Sequence, residues 1–242
     1  MHTREVTISS NEVDPFLDLS LPGLFRLIQA SAEEGAEAIG EGKSETTDKG
    51  YIWVLTRVKA EISRMPTYQE KISISTYPGE QLGCFYFRHF YAQSDDGEIL
   101  FRLSSSWALL ERASHKMVMR SPFPGPLPLE KQEGELGRPE KLFSQEGARL
   151  REKRRITYSM CDLNGHLNNT RYIELLVDTK GREFYSSHAL SSLTINFEKE
   201  ILEGEEVEIY LAEPCLDSFF IEGKVKAEGR FLASLLYKEK QR

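Results

Sequence analysis

The sequence predicts an α+β protein in which one structural unit, a long antiparallel sheet curled around a single helix, occurs twice. The first observation is a proline-rich stretch, residues 122–150, which holds five of the ten prolines and separates two longer segments. Each segment contains a short strand-like stretch, a helical pattern and then four strand-like runs, an order that does not suit a βαβ architecture. The third observation is local, since VLTRVKAEI (54–62) aligns with SLTINFEKEI (192–201) when one insertion is allowed.

The composition is that of a globular protein able to bury a core, with 40% hydrophobic and 29% charged residues. The charge sum, 31 − 38 = −7, makes nucleic acid and anionic membranes unexpected partners. No apolar run approaches the ~20 residues of a membrane span, and the N-terminus has no apolar signal core, so no membrane insertion is expected. Three scattered cysteines match neither a disulfide framework nor a zinc site, which predicts a reduced, cytoplasmic protein with no metal or other cofactor.

The first segment, residues 1–120, begins with a strand-like stretch at 5–9 and a helix over 22–39, and Pro22 is acceptable in the first turn of that helix. Leu24, Leu27 and Ile28 begin its apolar face, and its many small residues let a sheet wrap closely around it. Alternation of apolar and charged residues then predicts four strands, at 52–62, 70–77, 85–93 and 99–111.

Residues 121–150 are predicted to be a linker, because neither helix nor strand tolerates that density of proline. The second segment, residues 151–242, repeats the order of the first. A strand-like stretch at 155–159 precedes a helix over 170–179, which Asn168 or Asn169 can cap. Four strands are predicted to follow, at 193–197, 206–211, 219–227 and 231–237.

The stretch CDLNGHLNN (161–169) carries the polar residues that point to chemistry. In an extended backbone Asp162, Asn164 and His166 lie on one side, since residues two apart point the same way. The helix that follows offers unpaired N–H groups and a partial positive charge, which can hold a carbonyl oxygen as it becomes an oxyanion. A carboxylate, an amide, an imidazole and a helix start together suit the hydrolysis of an activated acyl group.

The same stretch is open to other interpretations. Asp, Asn and Gly are ordinary turn formers and Asn is an ordinary cap, so a plain polar turn stays open. A calcium loop is excluded, because Leu167 stands where its glycine belongs and Ile173 where its last glutamate belongs. Cys161 is a possible nucleophile, but alternation places it opposite Asp162, which favours a buried, inert thiol.

The string DLNGHLNNTRYIE (162–174) strongly resembles the signature of acyl-acyl carrier protein thioesterases of the bacterial and plant type, which are double hot-dog proteins. The resemblance extends along nearly the whole chain, through SSSWALLERASHKMVMRSP (104–122) and INFEKEI (195–201). It implies a tandem double hot-dog whose first half holds most of the acyl chain and whose second half carries the chemistry. It also implies hydrolysis of acyl-acyl carrier protein, which releases a free fatty acid and ends chain elongation in fatty acid biosynthesis.

Position by position, the resemblance makes Asp162, Asn164 and His166 the catalytic acid, amide and imidazole, and Glu200 a glutamate that helps to activate water. Some members of the family carry a cysteine directly after that glutamate. Ile201 stands there in this chain, which excludes a cysteine mechanism through that position. Alternation places Glu200 opposite the apolar residues of its strand, so three explanations stay open: the site lies on that other face, a bulge intervenes, or Glu200 is a solvated charge.

A thioester is already activated, so the expected mechanism needs a placed water, a base and support for the oxyanion. His166 and Glu200 are expected to orient or deprotonate the water, and Asn164 to hold the thioester or the water. Asp162 is expected either to polarise the site or to attack directly and form a mixed anhydride, and the sequence leaves both routes open.

The substrate is expected to bind at two places. A backbone N–H near Asn168 or Asn169, at the helix start, receives the oxyanion. Leu27, Trp53 and Trp107 are candidates for lining the acyl pocket, with plain core packing as the alternative for each of them.

The expected partner is an acyl carrier protein bearing a fatty acyl thioester. The resemblance implies an acidic carrier, which needs a local cationic surface on a chain that is itself acidic. The densest basic run lies at 149–155, and Arg151, Lys153 and Arg154 within it form the predicted docking site, with a solvated strand as the alternative.

Related functions remain as rivals. The nearest is an acyl-coenzyme A thioesterase of the same fold, because its chemistry is identical. A hot-dog hydratase or dehydratase and a non-catalytic acyl-binding module are further alternatives. The expected assembly is either a monomer with internal pseudo-dimeric symmetry or a homodimer.

Overall fold

The structure, a computed structural model, describes residues 1–119 and 135–240, within which the chain forms ten strands and four helices. The elements of the first half are β1 (His2–Thr7), α1 (Leu21–Glu37), α2 (Lys43–Asp48), β2 (Tyr51–Ile62), β3 (Lys71–Leu82), β4 (Phe85–Ser94) and β5 (Ile99–Glu111). Those of the second half are β6 (Arg149–Arg155), α3 (Asn169–Val177), α4 (Arg182–Ser187), β7 (His188–Phe197), β8 (Glu206–Cys215), β9 (Ser218–Val225) and β10 (Glu228–Glu239).

All of these strands join one antiparallel sheet, in the order β1-β3-β4-β5-β2-β7-β10-β9-β8-β6. Read outward from the centre, the two halves have the same strand order. They meet where β2 pairs with β7, and Lys59 lies opposite Thr194 at the middle of that pairing. The tandem arrangement is therefore confirmed, as two halves of the same strand order within one continuous sheet.

The helices α1 and α3 pack on the sheet and against each other, and their buried faces share one core. Ser20 caps α1, and its Oγ accepts the N–H of Gly23 at 3.1 Å. Gly35 lets the helix lie close to the sheet, because a Cβ there would come within 2.8 Å of both Arg88 and Thr76. No helix in the described residues is both long and apolar enough to span a membrane.

The described part of the predicted linker, from residue 135 up to β6, contains neither helix nor strand and lies across the outer face of the sheet. Glu135 contacts His89 of β4 at 3.2 Å, and Glu140 pairs with Lys59 of β2 at 2.5 Å. Asn196 of β7 holds the linker backbone through two hydrogen bonds, at 2.7 and 3.0 Å. The remaining prolines of the linker, Pro122, Pro124, Pro126 and Pro128, lie outside the described residues.

The prediction of a strand at 155–159 is wrong. The strand is β6, which ends at Arg155, and Tyr158–Met160 is a single turn of 3-10 helix. β6 lies at the edge of the sheet and most of its residues are exposed, so no alternation of apolar residues marks it. The short helices α2 and α4 were not predicted, because six residues are too few for a helical period to be recognised.

Candidate active site

The polar stretch before α3 is a tight turn, which corrects the prediction of an extended backbone. The N–H of Asp162 donates to the carbonyl oxygen of His166 at 2.8 Å, and the N–H of Gly165 donates to that of Asp162 at 3.0 Å. Gly165 has φ +82°, in the left-handed region that favours glycine. The chain thus reverses between Asp162 and His166, so their side chains are carried by a turn and not by one side of an extended strand.

Asp162 and Asn164 contact each other directly. Asp162 Oδ1 accepts the backbone N–H of Asn164 at 2.8 Å, and Oδ2 lies 3.4 Å from Asn164 Nδ2. This is the local geometry of an Asx turn. Asp162 is partly buried and Asn164 is exposed, so the amide lies on the solvent side of the carboxylate.

His166 and Glu200 form a second pair. His166 Nε2 lies 3.4 Å from Glu200 Oε2, and the two side chains are 32% and 49% exposed. β7 ends at Phe197, and the N–H groups of the next two residues both donate to the carbonyl oxygen of Arg230, at 2.9 and 3.2 Å. This irregularity breaks the alternation along the strand. The bulge is therefore the explanation that the structure supports, and it places Glu200 beside the imidazole.

Backbone contacts join the two pairs to the start of α3. Leu167 N–H donates to the carbonyl oxygen of Ile201 at 2.8 Å, which ties the polar turn to the segment that carries Glu200. Asn168 caps the helix, since its Oδ1 accepts the N–H and the hydroxyl of Thr170 at 2.9 and 2.8 Å. Asn169 is the first residue of α3. The N–H groups of Asn168, Thr170 and Arg171 already have acceptors in Met160 and Asn168. Within the described residues, the open donor at this helix start is the N–H of Asn169.

Cys161 does not have the environment of a nucleophile. Its Sγ lies 3.7 Å from the carbonyl oxygen of Thr157. Burial raises the pKa of the thiol, and the negative charges of Glu203 and Asp162 raise it further. A raised pKa leaves little thiolate at neutral pH, and the thiolate is the reactive form.

The expected acyl-pocket residues lie in the first half. Leu27 is a core residue of α1 with 4% exposure. Trp53 meets the ring of Tyr86 edge-on at 4.9 Å, and Trp107 Nε1 donates to Ser105 Oγ at 2.8 Å. Both tryptophans are partly exposed.

The three expected docking residues on β6 differ in their surroundings. Lys153 pairs with Glu208 at 2.6 Å and reaches Glu206 at 3.7 Å. Arg154 pairs with Glu152 at 3.2 Å and with Asp178 at 3.3 Å. Arg151 is exposed and has no ion pair within the described residues, so of the three side chains its charge is the most available to a partner.

Sequence reasoning missed Arg230, whose side chain is only 7% exposed beside the Glu200 segment. The available signal was a charged residue directly before the apolar run FLASLLY (231–237). A buried arginine is uncommon unless it is paired, and its pairing became visible only in the folded structure.

Two family models match the chain. The acyl-ACP thioesterase N-terminal domain matches residues 1–121, and the acyl-ACP thioesterase C-terminal domain matches residues 144–233. The chain is 24% identical over 215 residues to a dodecanoyl-[acyl-carrier-protein] hydrolase, chloroplastic, of Cinnamomum camphora, covering 81% of this chain and 55% of that protein. It is 24% identical over 220 residues to a palmitoyl-acyl carrier protein thioesterase, chloroplastic, of Gossypium hirsutum, covering 82% and 51%. The chain spans about half the length of the curated relatives it matches.

Solved structures have the same fold. An acyl-ACP thioesterase from Bacteroides thetaiotaomicron matches with a TM-score of 0.83 at 24% identity, covering 98% of this chain and 97% of that chain. A 12:0-ACP thioesterase from Umbellularia californica matches with a TM-score of 0.84 at 19% identity, covering 99% and 97%. These matches confirm the predicted tandem double hot-dog. Because the two family models together match most of the chain, this protein belongs to the acyl-ACP thioesterase family.

Proposed function

We propose that the chain hydrolyses the thioester of acyl-acyl carrier protein, releasing a free fatty acid and ending chain elongation in fatty acid biosynthesis. One observation carries the proposal: the loop directly before α3 holds the Asp162–Asn164 pair and His166, and a backbone hydrogen bond from Leu167 to Ile201 joins this loop to the segment whose Glu200 contacts His166. The names of the matched relatives, which describe hydrolases of acyl-carrier protein, support the choice of substrate.

In the proposed first step, a water bound at the His166–Glu200 pair loses a proton to that pair while its oxygen attacks the thioester carbonyl carbon. The partial exposure of both side chains leaves room for this water. A general base of this kind typically contributes ~10²–10⁴-fold. The carbonyl oxygen becomes an oxyanion and accepts from the N–H of Asn169 at the start of α3, a contribution of about 3 kcal/mol.

In the second step, the tetrahedral intermediate collapses and the carbon–sulfur bond breaks. The departing thiolate takes the proton held by the His166–Glu200 pair, so the products are a fatty acid and the free carrier thiol. Asn164 holds the thioester or the water, and Asp162, whose oxygens both face Asn164, orients that amide.

Asp162 has a second candidate role, direct attack to form a mixed anhydride, which water then hydrolyses. Asp162→Asn distinguishes the routes, because an amide can still accept hydrogen bonds but cannot form the anhydride. Turnover well above that of Asp162→Ala supports the orienting role, and equal loss in both variants supports attack by the carboxylate.

The acyl chain is proposed to lie in the first half, near Leu27, Trp53 and Trp107. Truncation of Trp53 or Trp107 to Leu is expected to change the preference for chain length. Hydrolysis that keeps the same preference in both variants counts against a pocket at these residues.

The deciding assay is the release of free thiol from matched acyl-carrier and acyl-coenzyme A substrates of several chain lengths. Higher kcat/KM with the carrier substrate is expected. Higher kcat/KM with coenzyme A identifies an acyl-coenzyme A thioesterase of the same fold, and binding without thiol release identifies a non-catalytic acyl-binding module.

Carrier docking is proposed on β6, chiefly through Arg151, because carboxylates of the same chain already neutralise Lys153 and Arg154. Arg151→Glu is expected to raise the KM for carrier substrates, with an effect that weakens at high salt. Lys153→Glu and Arg154→Glu should have smaller effects. An unchanged, salt-insensitive KM in Arg151→Glu removes this residue from the docking site.

The assembly is proposed to be a monomer, because the β2–β7 pairing already joins two hot-dog halves within one chain. Light scattering distinguishes it from the homodimer. The cytoplasmic location stays a prediction from the cysteine pattern, and the names of the plant relatives describe those proteins as chloroplastic.

A further inference from the structure

The segment that carries Glu200 is here called the Glu200 turn (residues 198–205). One residue of the neighbouring strand β10, Arg230, contacts this turn at both ends. The two N–H groups at its start donate to the carbonyl oxygen of Arg230. At its other end, the carboxylate of Glu205 accepts the N–H of Leu202 at 2.9 Å, and Arg230 Nη2 lies 3.7 Å from the second oxygen of that carboxylate. Arg230 therefore contacts both ends of the turn, through its backbone and through its side chain.

Burial of the Arg230 guanidinium lowers the stability of the fold. The side chain is 7% exposed, Nη1 donates to Glu228 at 2.7 Å, and Nε is buried without a hydrogen-bond partner in the described part of the chain. A buried polar atom that lacks a partner destabilises a fold. A purely structural position would be better filled by an apolar side chain.

In the first half, an apolar residue, Leu100, occupies the position that corresponds to Arg230. The N–H groups of Ser63 and Arg64 donate to the carbonyl oxygen of Leu100 at 2.9 and 3.2 Å, which repeats the contacts of Arg230. The carboxylate of Glu70 accepts the N–H of Thr67 at 2.8 Å, as Glu205 does for Leu202. Leu100 is fully buried. The same turn thus forms over a leucine. Its carboxylate pairs instead with Arg64, which is 39% exposed, at 2.9 Å, so the shape of the turn does not require an arginine at the buried position.

The two halves differ at a second buried position as well. Tyr172 lies four residues after the cap of α3, where α1 has Leu24 four residues after its own cap. The Tyr172 ring meets Phe197 and Phe231 edge-on, at 5.3 and 5.4 Å. Burial raises the pKa of Tyr172, whereas a hydrogen bond with the Ile201 backbone and the charge of Arg230 act against that rise.

The half that carries the site therefore has a buried polar pair, Tyr172 and Arg230, where the other half has two buried leucines. The Tyr172 ring packs against Phe197, directly before the Glu200 turn, and against Phe231, directly after Arg230. Arg230 itself contacts both ends of the same turn. We propose that Arg230, together with Tyr172, is a positioning residue that holds Glu200 against His166 for hydrolysis. This inference rests on the proposed thioesterase function.

The test begins with Arg230→Leu, which copies Leu100 and so keeps a side chain that this turn accepts. We expect kcat to fall by about 10²-fold with KM unchanged, because a misplacement of about 1 Å in a catalytic group costs that much. Arg230→Lys is expected to restore part of the loss. The matched control is Arg64→Leu in the first half, for which kcat should not change.

A double-mutant cycle shows whether Arg230 acts through Glu200. In the Glu200→Gln background, adding Arg230→Leu should lower kcat little further. A loss in the double variant equal to the product of the two single losses would mean that Arg230 acts independently of Glu200, and the inference would be wrong.

Tyr172→Phe provides the second variant if Arg230→Leu does not fold, as judged by circular dichroism. It removes one hydroxyl, should lower kcat, and should be equally non-additive with Glu200→Gln. If folded Arg230→Leu or Tyr172→Phe keeps the full kcat, this inference is wrong, while the proposed thioesterase function stands. If the unmodified protein releases no thiol from either substrate, the proposed function fails and this inference fails with it.

Discussion

The loops that precede α1 and α3, here called the first-half loop (Val13–Ser20) and the second-half loop (Cys161–Asn168), have the same backbone. In both, the N–H of an aspartate donates to the carbonyl oxygen four residues later at 2.8 Å. In both, that aspartate accepts the N–H of the residue two positions later at 2.8 Å, and the last residue of the loop caps the helix.

The side chains of the two loops differ at the positions that matter for chemistry. Phe16 stands where the second-half loop has Asn164, and Asp18 stands where it has His166. Lys240 donates to Asp18 at 2.8 Å, and its Nζ lies over the Phe16 ring at 5.0 Å. The residue directly after β10 thus contacts both of these side chains of the first-half loop.

The Glu200 turn shows the same contrast. In the second half, the N–H of Leu167 donates to the carbonyl oxygen of Ile201, directly after Glu200. In the first half, the N–H of Leu19 donates in the same way to the carbonyl oxygen of Pro66, so Met65 occupies the position of Glu200. The backbone of these loops is therefore common to both halves of the protein. The proposed chemistry arises only where acid, amide, imidazole and their polar support occur together.

The largest expected effect concerns the paired loops. His166→Ala and Asp162→Ala should each lower kcat by ~10²–10⁴-fold, because each removes a proposed proton-transfer or orienting group. Thiol release measures the rate, and circular dichroism checks that the variants fold. Near-normal hydrolysis by either variant would contradict its role.

Asp18→Ala is the matched control in the first-half loop. It breaks the ion pair between Asp18 and Lys240, whose side chains are 32% and 28% exposed respectively. Such pairs contribute at most ~1 kcal/mol to stability. We expect unchanged kcat. A loss comparable to that of His166→Ala would show that the first-half loop also takes part in the reaction.

The second prediction concerns backbone strain. Gly165 has φ +82° with no atom within 4 Å of an added Cβ, so Gly165→Ala tests the backbone conformation alone. It should lower the free energy of unfolding by about 1–2 kcal/mol. Leu17, at the same position of the first-half loop, has φ +67° and is 57% exposed.

Leu17→Gly should be close to neutral, because relief of the left-handed strain is offset by about 0.5–1 kcal/mol of lost chain entropy. Denaturant unfolding measures both variants. If Gly165→Ala is neutral, or Leu17→Gly destabilises strongly, the two loops do not have equivalent backbones in solution.

The smallest prediction concerns the turn of the first half. Hydrogen bonds from Arg64 lower the pKa of Glu70 below its ordinary 4.5. The ionised carboxylate therefore stabilises the fold above that pH, and this contribution is lost as pH falls through the lower folded value. Arg64→Leu should destabilise the protein by about 0.5 kcal/mol at pH 7, since the pair is partly exposed and screened by solvent.

The difference in Tm between Arg64→Leu and the unmodified protein should shrink as the pH falls below 4.5. In the second half the corresponding acid, Glu205, faces the buried Arg230. A difference in Tm that persists at acid pH would show that Arg64 stabilises the turn by some means other than its bonds to Glu70.

Local features of the fold were predictable from the sequence, and features that depend on distant contacts were not. The strands β2 to β5 were predicted because their apolar residues alternate over many positions. β6 was misplaced because an edge strand with two exposed faces carries no such pattern. The family model matches and the fold agree with the predicted duplication.

The sequence by itself determined that Asp162, Asn164 and His166 belong to one short loop directly before a helix, because this follows from their positions in the chain and from the local signals of the helix start. It could not determine where Glu200 points, since the irregularity that turns Glu200 toward His166 arises from hydrogen bonds to Arg230 on another strand. Only the tertiary structure decided that pairing, because side-chain alternation is a local property, whereas a bulge depends on the partner strand.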